Sequence, residues 1–461
     1  MKVFNSYSRQ LEDLIPLEEN KITMYVCGPT VYDLPHLGHA RCYITWDVVF
    51  RYLKFRGYDV TYARNITDVD DKIINKAKSQ NTTPKAIAEE FTKEFHKSMK
   101  ALNLLEPTIE PKATENIDAM LEIINILVEK GVAYEKEGDV YFKVDKFPKY
   151  GNLSGQNIKD LEAGARVEAS GIKENALDFA MWKKAKDEDE ISWDSPYGKG
   201  RPGWHIECSA MAKGYLGNTI DIHAGGADLL FPHHENEIAQ SECACGKPFA
   251  RYWLHNGFVT INNEKMSKSL GNFTSINKLL ESYDANTIKL FILTNHYRQP
   301  VEFSQESLES AKAGIQRLKN AVNDLKTALN IKEFSPPSAD NKHIQQFIEA
   351  MDSDFNTSKA LSVFFELANL AQKEKETDKE KAFEYISTLV YLSDVLGFNL
   401  TEVKSIDNDL TEKLMNLIIG IRKLAREEKN WIISDKIRDE LNAIGITLKD
   451  NKDGATVFEI K

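Results

Sequence analysis

Three groups of residues in this chain carry side chains suited to chemistry. The first is HLGH, His36 to His39, set between an apolar run and an amphipathic one. Backbone N–H groups at a helix start attract anions, and a glycine between two imidazoles lets a polyphosphate come close. The second is KMSKS, Lys265 to Ser269, flanked by asparagines and a glycine. That composition predicts a loop, and its two lysines can neutralise charge on a leaving pyrophosphate. The third is a set of sulfur, imidazole and carboxylate groups. In FPHHENEIAQS the polar cluster is expected to open a helix, where side chains three or four apart share a face. His233 with Glu237 and His234 with Glu237 both meet that condition, and the four-residue pair is preferred. Cys27 ends the first apolar strand, and Cys208 lies in WHIECSAM. Two thiolates, one imidazole and one carboxylate make a tetrahedral zinc set.

The other cysteines have simpler readings. Cys42 falls on an apolar helical run and is expected in the core. Cys243 and Cys245 stand too close for the usual two-residue zinc-knuckle spacing and receive no role.

These groups need elements to position them. KITMYVC reads as a strand, GPTVYDLPHLGHA as a loop, CYITWDVVFRYLKFRG as a helix stopped at Gly57, and DVTYARNI as a second strand. This βαβ unit predicts a parallel, doubly wound sheet with its ligand crevice at the carboxyl ends of the strands. Residues 70 to 135 read as helices, and Val132 to Gly200 as short strand-like pieces forming an insertion, after which the sheet resumes with NTIDIH. Apolar residues at 308, 311, 315, 318, 322, 325 and 329 mark an amphipathic bundle helix. The chain then offers two more helices, LTEKLMNLIIGIRKLAREEK and WIISDKIRDELNAIG, and two strands, ITLKD and TVFEI. Trp431 is expected to be buried between those two helices.

The fold class expected is therefore α/β. A Rossmann-like parallel-sheet catalytic domain with an insertion is followed by an α-helical bundle and a small α+β C-terminal domain. The boundaries are 1–115 and 200–255 for the two sheet halves, 116–199 for the insertion, 256–307 for the KMSKS region, 308–400 for the bundle and 401–461 for the last module.

Composition sets outer limits. A chain of 461 residues, 42% of them hydrophobic, can bury more than one core. A net charge of -11 argues against general affinity for nucleic acid, so RNA contacts must come from local basic patches. No stretch approaches the roughly 20 apolar residues of a membrane span, and the first residues lack a signal-peptide core. A cytosolic protein without membrane contact is expected, and no long exposed heptad seam argues for anything beyond a monomer.

HLGH and KMSKS, in this order beside an α/β sheet, resemble the signature pair of class I aminoacyl-tRNA synthetases. Leu37 stands where isoleucine is usual and keeps the apolar character. Together with MYVCGPTVYDLPHLGHAR, RNITDVDDKI, GRPGWHIECSAM, DIHAGGADLLFPHHENEIAQ and EKMSKSLGNF, they resemble the cysteinyl-tRNA synthetase family along essentially the whole chain. The resemblance implies ATP as substrate, held by His36, Gly38, His39 and Lys268, with magnesium expected. It implies that His36, His39, Lys265 and Lys268 stabilise the transition state as a carboxylate attacks the α-phosphate. It implies one zinc per chain on Cys27, Cys208, His233 and Glu237, binding the thiolate of L-cysteine, with His234 not a ligand. Gly28, Thr67, Trp204, His223 and Asp228 match positions that line the cysteine pocket, and Asp228 is the candidate partner of the amino group. The partners implied are tRNA(Cys), L-cysteine and ATP, with the bundle lying along the tRNA and the last module reading the anticodon. One relative of this core joins cysteine to an amino sugar in mycothiol synthesis and lacks residues matching 401–461, so that module favours tRNA.

Overall fold

The computed structural model describes residues 1–156, 173–186, 191–261, 264–265, 273–338, 340–401, 408–443, 445–450 and 456–460. Lys268 and the side chain of Lys265 lie outside the described residues. The chain divides into two units, Met1–Leu400 and Thr401–Lys461.

In the first unit, strands β1 (Lys2–Asn5) and β2 (Gln10–Asp13) form an antiparallel hairpin. Strand β3 (Lys21–Val26) leads through a loop into helix α1 (Leu37–Phe55) and strand β4 (Asp59–Arg64). Helices α2 (Asp71–Gln80), α3 (Pro84–Ala101) and α4 (Ile117–Glu129) follow. A four-stranded antiparallel sheet of β5 (Ala133–Lys136), β6 (Asp139–Phe142), β7 (Phe179–Lys184) and β8 (Gly200–Pro202) interrupts the α/β pattern. The pattern resumes with α5 (Trp204–Leu216), strand β9 (Ile220–Gly226), helix α6 (Glu235–Cys245) and strand β10 (Ala250–Asn256).

The main sheet has the order β10-β9-β3-β4 and all its strands are parallel, as the sequence predicts. Chain order turns at β3, with β4 on one side and β9 on the other, so a crevice opens between the carboxyl ends of β3 and β9. Every residue of β9 is buried, as in a sheet covered on both faces. Strand alternation then sorts side chains between two cores. Ile22, Met24 and Val26 join the core shared with α1, whereas Tyr25 and Cys27 join the one shared with α4, α5 and α6. That parity sends Cys27 toward the helices that carry Cys208 and Glu237.

Strands β11 (Val259–Ile261) and β12 (Glu264–Lys265), helices α7 (Ile276–Ser282) and α8 (Ala285–Leu293), and strand β13 (Val301–Glu302) continue the chain from the sheet. Helices α9 (Gln305–Ala328), α10 (Lys342–Asp352), α11 (Thr357–Glu374) and α12 (Lys379–Val395) follow. Leu308, Ala311, Ile315, Leu318, Val322 and Leu325 are buried along α9, the three-and-four spacing of an amphipathic helix.

The second unit comprises α13 (Asn408–Glu427), α14 (Trp431–Ala443), and the antiparallel strands β14 (Ile446–Asp450) and β15 (Thr456–Ile460). Trp431, expected inside, is 56% exposed. It belongs to the first turn of α14, where Ile432 and Ile433 are exposed as well, while Ser434 and Leu441 are the buried positions of that helix. No helix among the described residues is long and apolar enough to cross a membrane.

Candidate active site

A cleft of about 460 Å³ opens at the carboxyl ends of the parallel strands. Cys27 and Gly28 line it after β3, His36, Gly38 and His39 at the start of α1, Trp204 at the start of α5, and Asp228 after β9. Gly28 has to be glycine, because a Cβ there would stand 1.5 Å from the Asn65 carbonyl oxygen. Cys42, expected in the core, is partly buried and packs against the core that α1 shares with the sheet, and it borders this cleft as well.

His36 caps α1. Its Nδ1 accepts from the Gly38 N–H at 3.1 Å, and the Nδ1 of His39 accepts from the His36 N–H at 3.1 Å. The two rings lie 3.9 Å apart between centroids. Because the cap occupies both Nδ1 atoms, any ligand contact must use Nε2. The cap thus aims the imidazoles outward from a helix N-terminus, where the backbone dipole also favours an anion.

Beneath the cleft the structure brings Cys27, Cys208, His233 and Glu237 together, with one donor atom from each within 4.8 Å of the others. All four are buried. Glu237 Oε1 lies 3.0 Å from His233 Nε2 and 3.5 Å from Cys27 Sγ. Residues 230–234 form a wide, irregular turn ahead of α6, and the two-residue step onto that helix keeps His233 and Glu237 on one side. Burial pushes the Glu237 carboxyl up, but His223 and His233 outweigh it and hold the group well below the usual carboxylate range. Burial also raises the Cys208 thiol, yet the Cys27 thiol hydrogen-bonded to it and the His233 imidazole bring it down to about 6. Burial lowers His233, but Glu237 and Cys208 hold it up at about 10. Cys27 is pushed well above its ordinary value by burial and by Cys208 and Glu237. Two of the four groups, Cys27 and His233, therefore hold protons at neutral pH that a cation would displace.

Trp204 stacks on His233 at 4.2 Å between centroids and is 38% exposed, so its ring separates that imidazole from the cleft. Thr67 and His223 do not reach the open cleft. Thr67 is buried and donates to Glu207 Oε2 at 2.8 Å, while accepting from Asn65 Nδ2 at 3.2 Å. Asn65 Oδ1 accepts from the Gly28 N–H at 2.8 Å and faces Cys208 Sγ at 3.7 Å. Thr67 and Asn65 thereby tie the loop after β4 to both the cleft wall and a thiol. His223 is buried on β9, with Nε2 at 2.8 Å from Glu237 Oε2 and its ring stacked on Trp253.

His205, His255 and Asn65 carry no expectation from the sequence, whereas His234 is weighed there and set aside as a ligand. His205 Nδ1 lies 2.9 Å from His233 Nδ1. His234 Nε2 lies 3.3 Å from Cys27 Sγ, and its Nδ1 is 2.8 Å from His255 Nε2, which in turn faces Ser6 through Nδ1. His205 beside Cys208, and Asn65 beside Thr67, were adjacent signals in WHIEC and RNIT, but His255 stands alone in sequence and only strand pairing brings it in.

Comparison with known proteins shows the family. Residues 13–313 match the family model for the tRNA synthetases class I (C) catalytic domain, and residues 346–401 match the DALR domain. The cysteine–tRNA ligase of Fusobacterium nucleatum subsp. nucleatum is 49% identical and covers 99% of both chains. That of Geobacillus thermodenitrificans is 49% identical over 98% of both. Among solved structures, Mycobacterium tuberculosis methionyl-tRNA synthetase with methionyl-adenylate superposes with a TM-score of 0.57 at 15% identity, covering 82% of this chain and 89% of that one. The Agrobacterium radiobacter LeuRS–tRNA–LeuAMS complex gives 0.61 at 11% identity, covering 84% and 86%, a likeness of fold. The chain belongs to the cysteine–tRNA ligase family of class I tRNA synthetases.

Proposed function

We propose that this chain activates L-cysteine with ATP and transfers it to the 3′ end of tRNA(Cys), using one resident zinc ion to recognise the thiol. The observation that carries the reading is the buried tetrad of Cys27, Cys208, His233 and Glu237 under a cleft whose rim holds HLGH. The donor set fits zinc: two sulfurs, an imidazole and a carboxylate, with Cys208 already a thiolate above about pH 6. When bound, zinc prefers sulfur and lowers the pKa of a coordinating thiol, which a hydroxyl of the same size does not match.

The chain's own residues supply the rest. In the first step a carboxylate oxygen of cysteine attacks the α-phosphorus of ATP, and the bond to the bridging oxygen breaks as pyrophosphate leaves. His36 and His39, turned outward by the α1 cap, meet the charge developing on the phosphate oxygens. Gly38 lets the phosphate approach the helix backbone. Asp228, on the cleft wall, pairs with the substrate ammonium, and Gly28 supplies backbone surface beside it. Lys265 and Lys268 are assigned to the leaving pyrophosphate with magnesium. In the second step the terminal ribose hydroxyl attacks the activated carbonyl and AMP departs. Residues 308–400 are assigned to hold the tRNA body, and 401–461 to read the anticodon.

The test is charging of a tRNA(Cys) transcript compared with an amino-sugar acceptor, in the full chain and in a chain ending at Leu400. The full chain should charge tRNA and not the amino sugar. The shortened chain, checked for folding by circular dichroism, should keep cysteine-dependent exchange of pyrophosphate into ATP while tRNA charging falls by about tenfold or more, because one of two attachment points is gone. Equal charging by both chains contradicts the anticodon assignment.

A further inference from the structure

The buried centre contains more donors than one ion needs. Besides the tetrad already described, Cys27, His223, His234 and Glu237 also bring one donor atom each within 4.8 Å of the others, and all are buried. The two sets share Cys27 and Glu237. His223 and His234 complete the inner set on the side of β9 and β10, whereas Cys208 and His233 complete the outer one below Trp204. We infer that the inner four residues form a second position for the same class of ion, a divalent zinc-like metal, so that one ion has two overlapping seats of which only one is filled at a time.

Three features of the geometry support the inner seat. A tetrahedral zinc with bonds near 2.0–2.3 Å sets neighbouring donors roughly 3.3–3.8 Å apart. Cys27 Sγ is 3.3 Å from His234 Nε2 and 3.5 Å from Glu237 Oε1, within that range, whereas Glu237 Oε2 sits at the shorter hydrogen-bond distance of 2.8 Å from His223 Nε2, a contact that an ion would have to open. Glu237 presents Oε1 to the shared Cys27 and, at 3.0 Å, to His233, and Oε2 to His223, so its carboxylate reaches donors of both sets. His234 also has the support of a metal ligand: Nε2 faces the donors, and Nδ1 is held by His255 at 2.8 Å, which is backed by Ser6 at 2.8 Å. His233 is held in the same way by His205.

The inner seat is the weaker one. It has one sulfur in place of two, and His223 Nδ1 has no hydrogen-bond partner among the described residues, so this ligand lacks outer support there. Filling both seats together is disfavoured, because the shared Cys27 and Glu237 would hold two dications close to each other in a buried site. An ion in the inner seat lies on the strand side, away from His233 and Trp204, where it is withdrawn from a thiol in the cleft. The four-ligand outer seat can accept a further ligand by loosening its hold, and the inner seat gives the ion a place to move.

The inference rests on the outer tetrad being the resident site, and the experiment separates the two. Cobalt(II) is titrated into metal-free protein, and the bound amount and the thiolate charge-transfer band are read. The wild-type chain should bind one equivalent with a two-thiolate band. Cys208→Ser should still bind one equivalent, weaker by about tenfold to a hundredfold and with a one-thiolate band. Adding His233→Ala to Cys208→Ser should preserve that binding, and adding His234→Ala should abolish it. Should a double variant fail to fold by circular dichroism, His233→Ala alone, which leaves the inner set whole, must retain one equivalent with a one-thiolate band, and a two-thiolate band there places the ion in the remnant of the outer set and overturns the second seat. The reverse pattern, with Cys208→Ser/His234→Ala binding and Cys208→Ser/His233→Ala not, means that the ion stays in the remnant of the outer set and overturns the second seat. A wild-type chain that binds no cobalt overturns the zinc reading, and the second seat with it.

Discussion

Two histidine pairs serve one cleft, and the chain gives them opposite surroundings. His36 and His39 stand half-buried at a helix N-terminus with their Nδ1 atoms engaged in the cap. His233 and His234 lie at 1% and 0% exposure among thiols, a carboxylate and other imidazoles. Burial pushes His234 well below its ordinary pKa and His255 down to about 3, whereas Glu237 and Cys208 reverse the burial effect at His233. The same side chain is thus suited to an anion in one place and to a metal ion in the other. Backbone N–H groups at a helix start favour negative charge, and a dry pocket holding thiolate and carboxylate favours a cation.

If the two pairs do separate work, they can be broken separately. The largest effect should come from Cys27→Ser, since Cys27 belongs to both donor sets: bound zinc, measured by metal analysis, should fall to near zero. Cysteine-dependent exchange should fall with it, by about a thousandfold or more. Next is His39→Ala, which should slow the exchange by about a hundredfold to a thousandfold while zinc stays stoichiometric. Loss of zinc in that variant would mean the rim and floor are not independent.

A smaller and sharper effect concerns protons. In the metal-free chain around pH 7.5, Cys208 is above its value of about 6 and Glu237 is ionised, but His233 is below its value of about 10 and Cys27 is still a thiol. Binding zinc must therefore release two protons, from Cys27 and His233, and affinity should rise about a hundredfold per pH unit in this range. Calorimetry in buffers of different ionisation enthalpy counts them. The sign for folding differs: His233 has a raised pKa, so its contribution to metal-free stability is complete below about 6.5 and is lost as pH rises toward about 10. The smallest effect should be that of Thr67→Val, which breaks the link between Asn65 and Glu207 and should weaken zinc by about tenfold without removing it, as competition with a chelator would show.

Local patterns were legible in the sequence where short-range physics decides them. The alternation in KITMYVC puts Cys27 on the face opposite Met24 and Val26, and the spacing along α9 matches its buried side. The parallel sheet follows from the βαβ pattern. What the sequence hid depends on long-range convergence. Strand pairing aligns Trp253 with His223, and His234 meets His255 from another segment, so the imidazole cluster has no sequence spacing. Thr67 and His223, which the resemblance places at the cysteine pocket, are buried and hydrogen-bonded to Glu207 and Glu237, contacts that no spacing in the sequence shows. Trp431 departs from expectation: a large aromatic beside two helices suggests burial, but a first-turn position leaves it exposed.

The central claim is that a buried metal tetrad and a helix-capped histidine pair together make a cysteine-activating site. Its most direct test is exchange of labelled pyrophosphate into ATP, driven by L-cysteine or by L-serine, in the metal-loaded protein, after chelation, and after zinc is restored. Exchange driven by cysteine and not serine, lost on chelation and recovered with one zinc per chain, is the predicted result. Cysteine-driven exchange that continues at full rate after the metal is gone would contradict it.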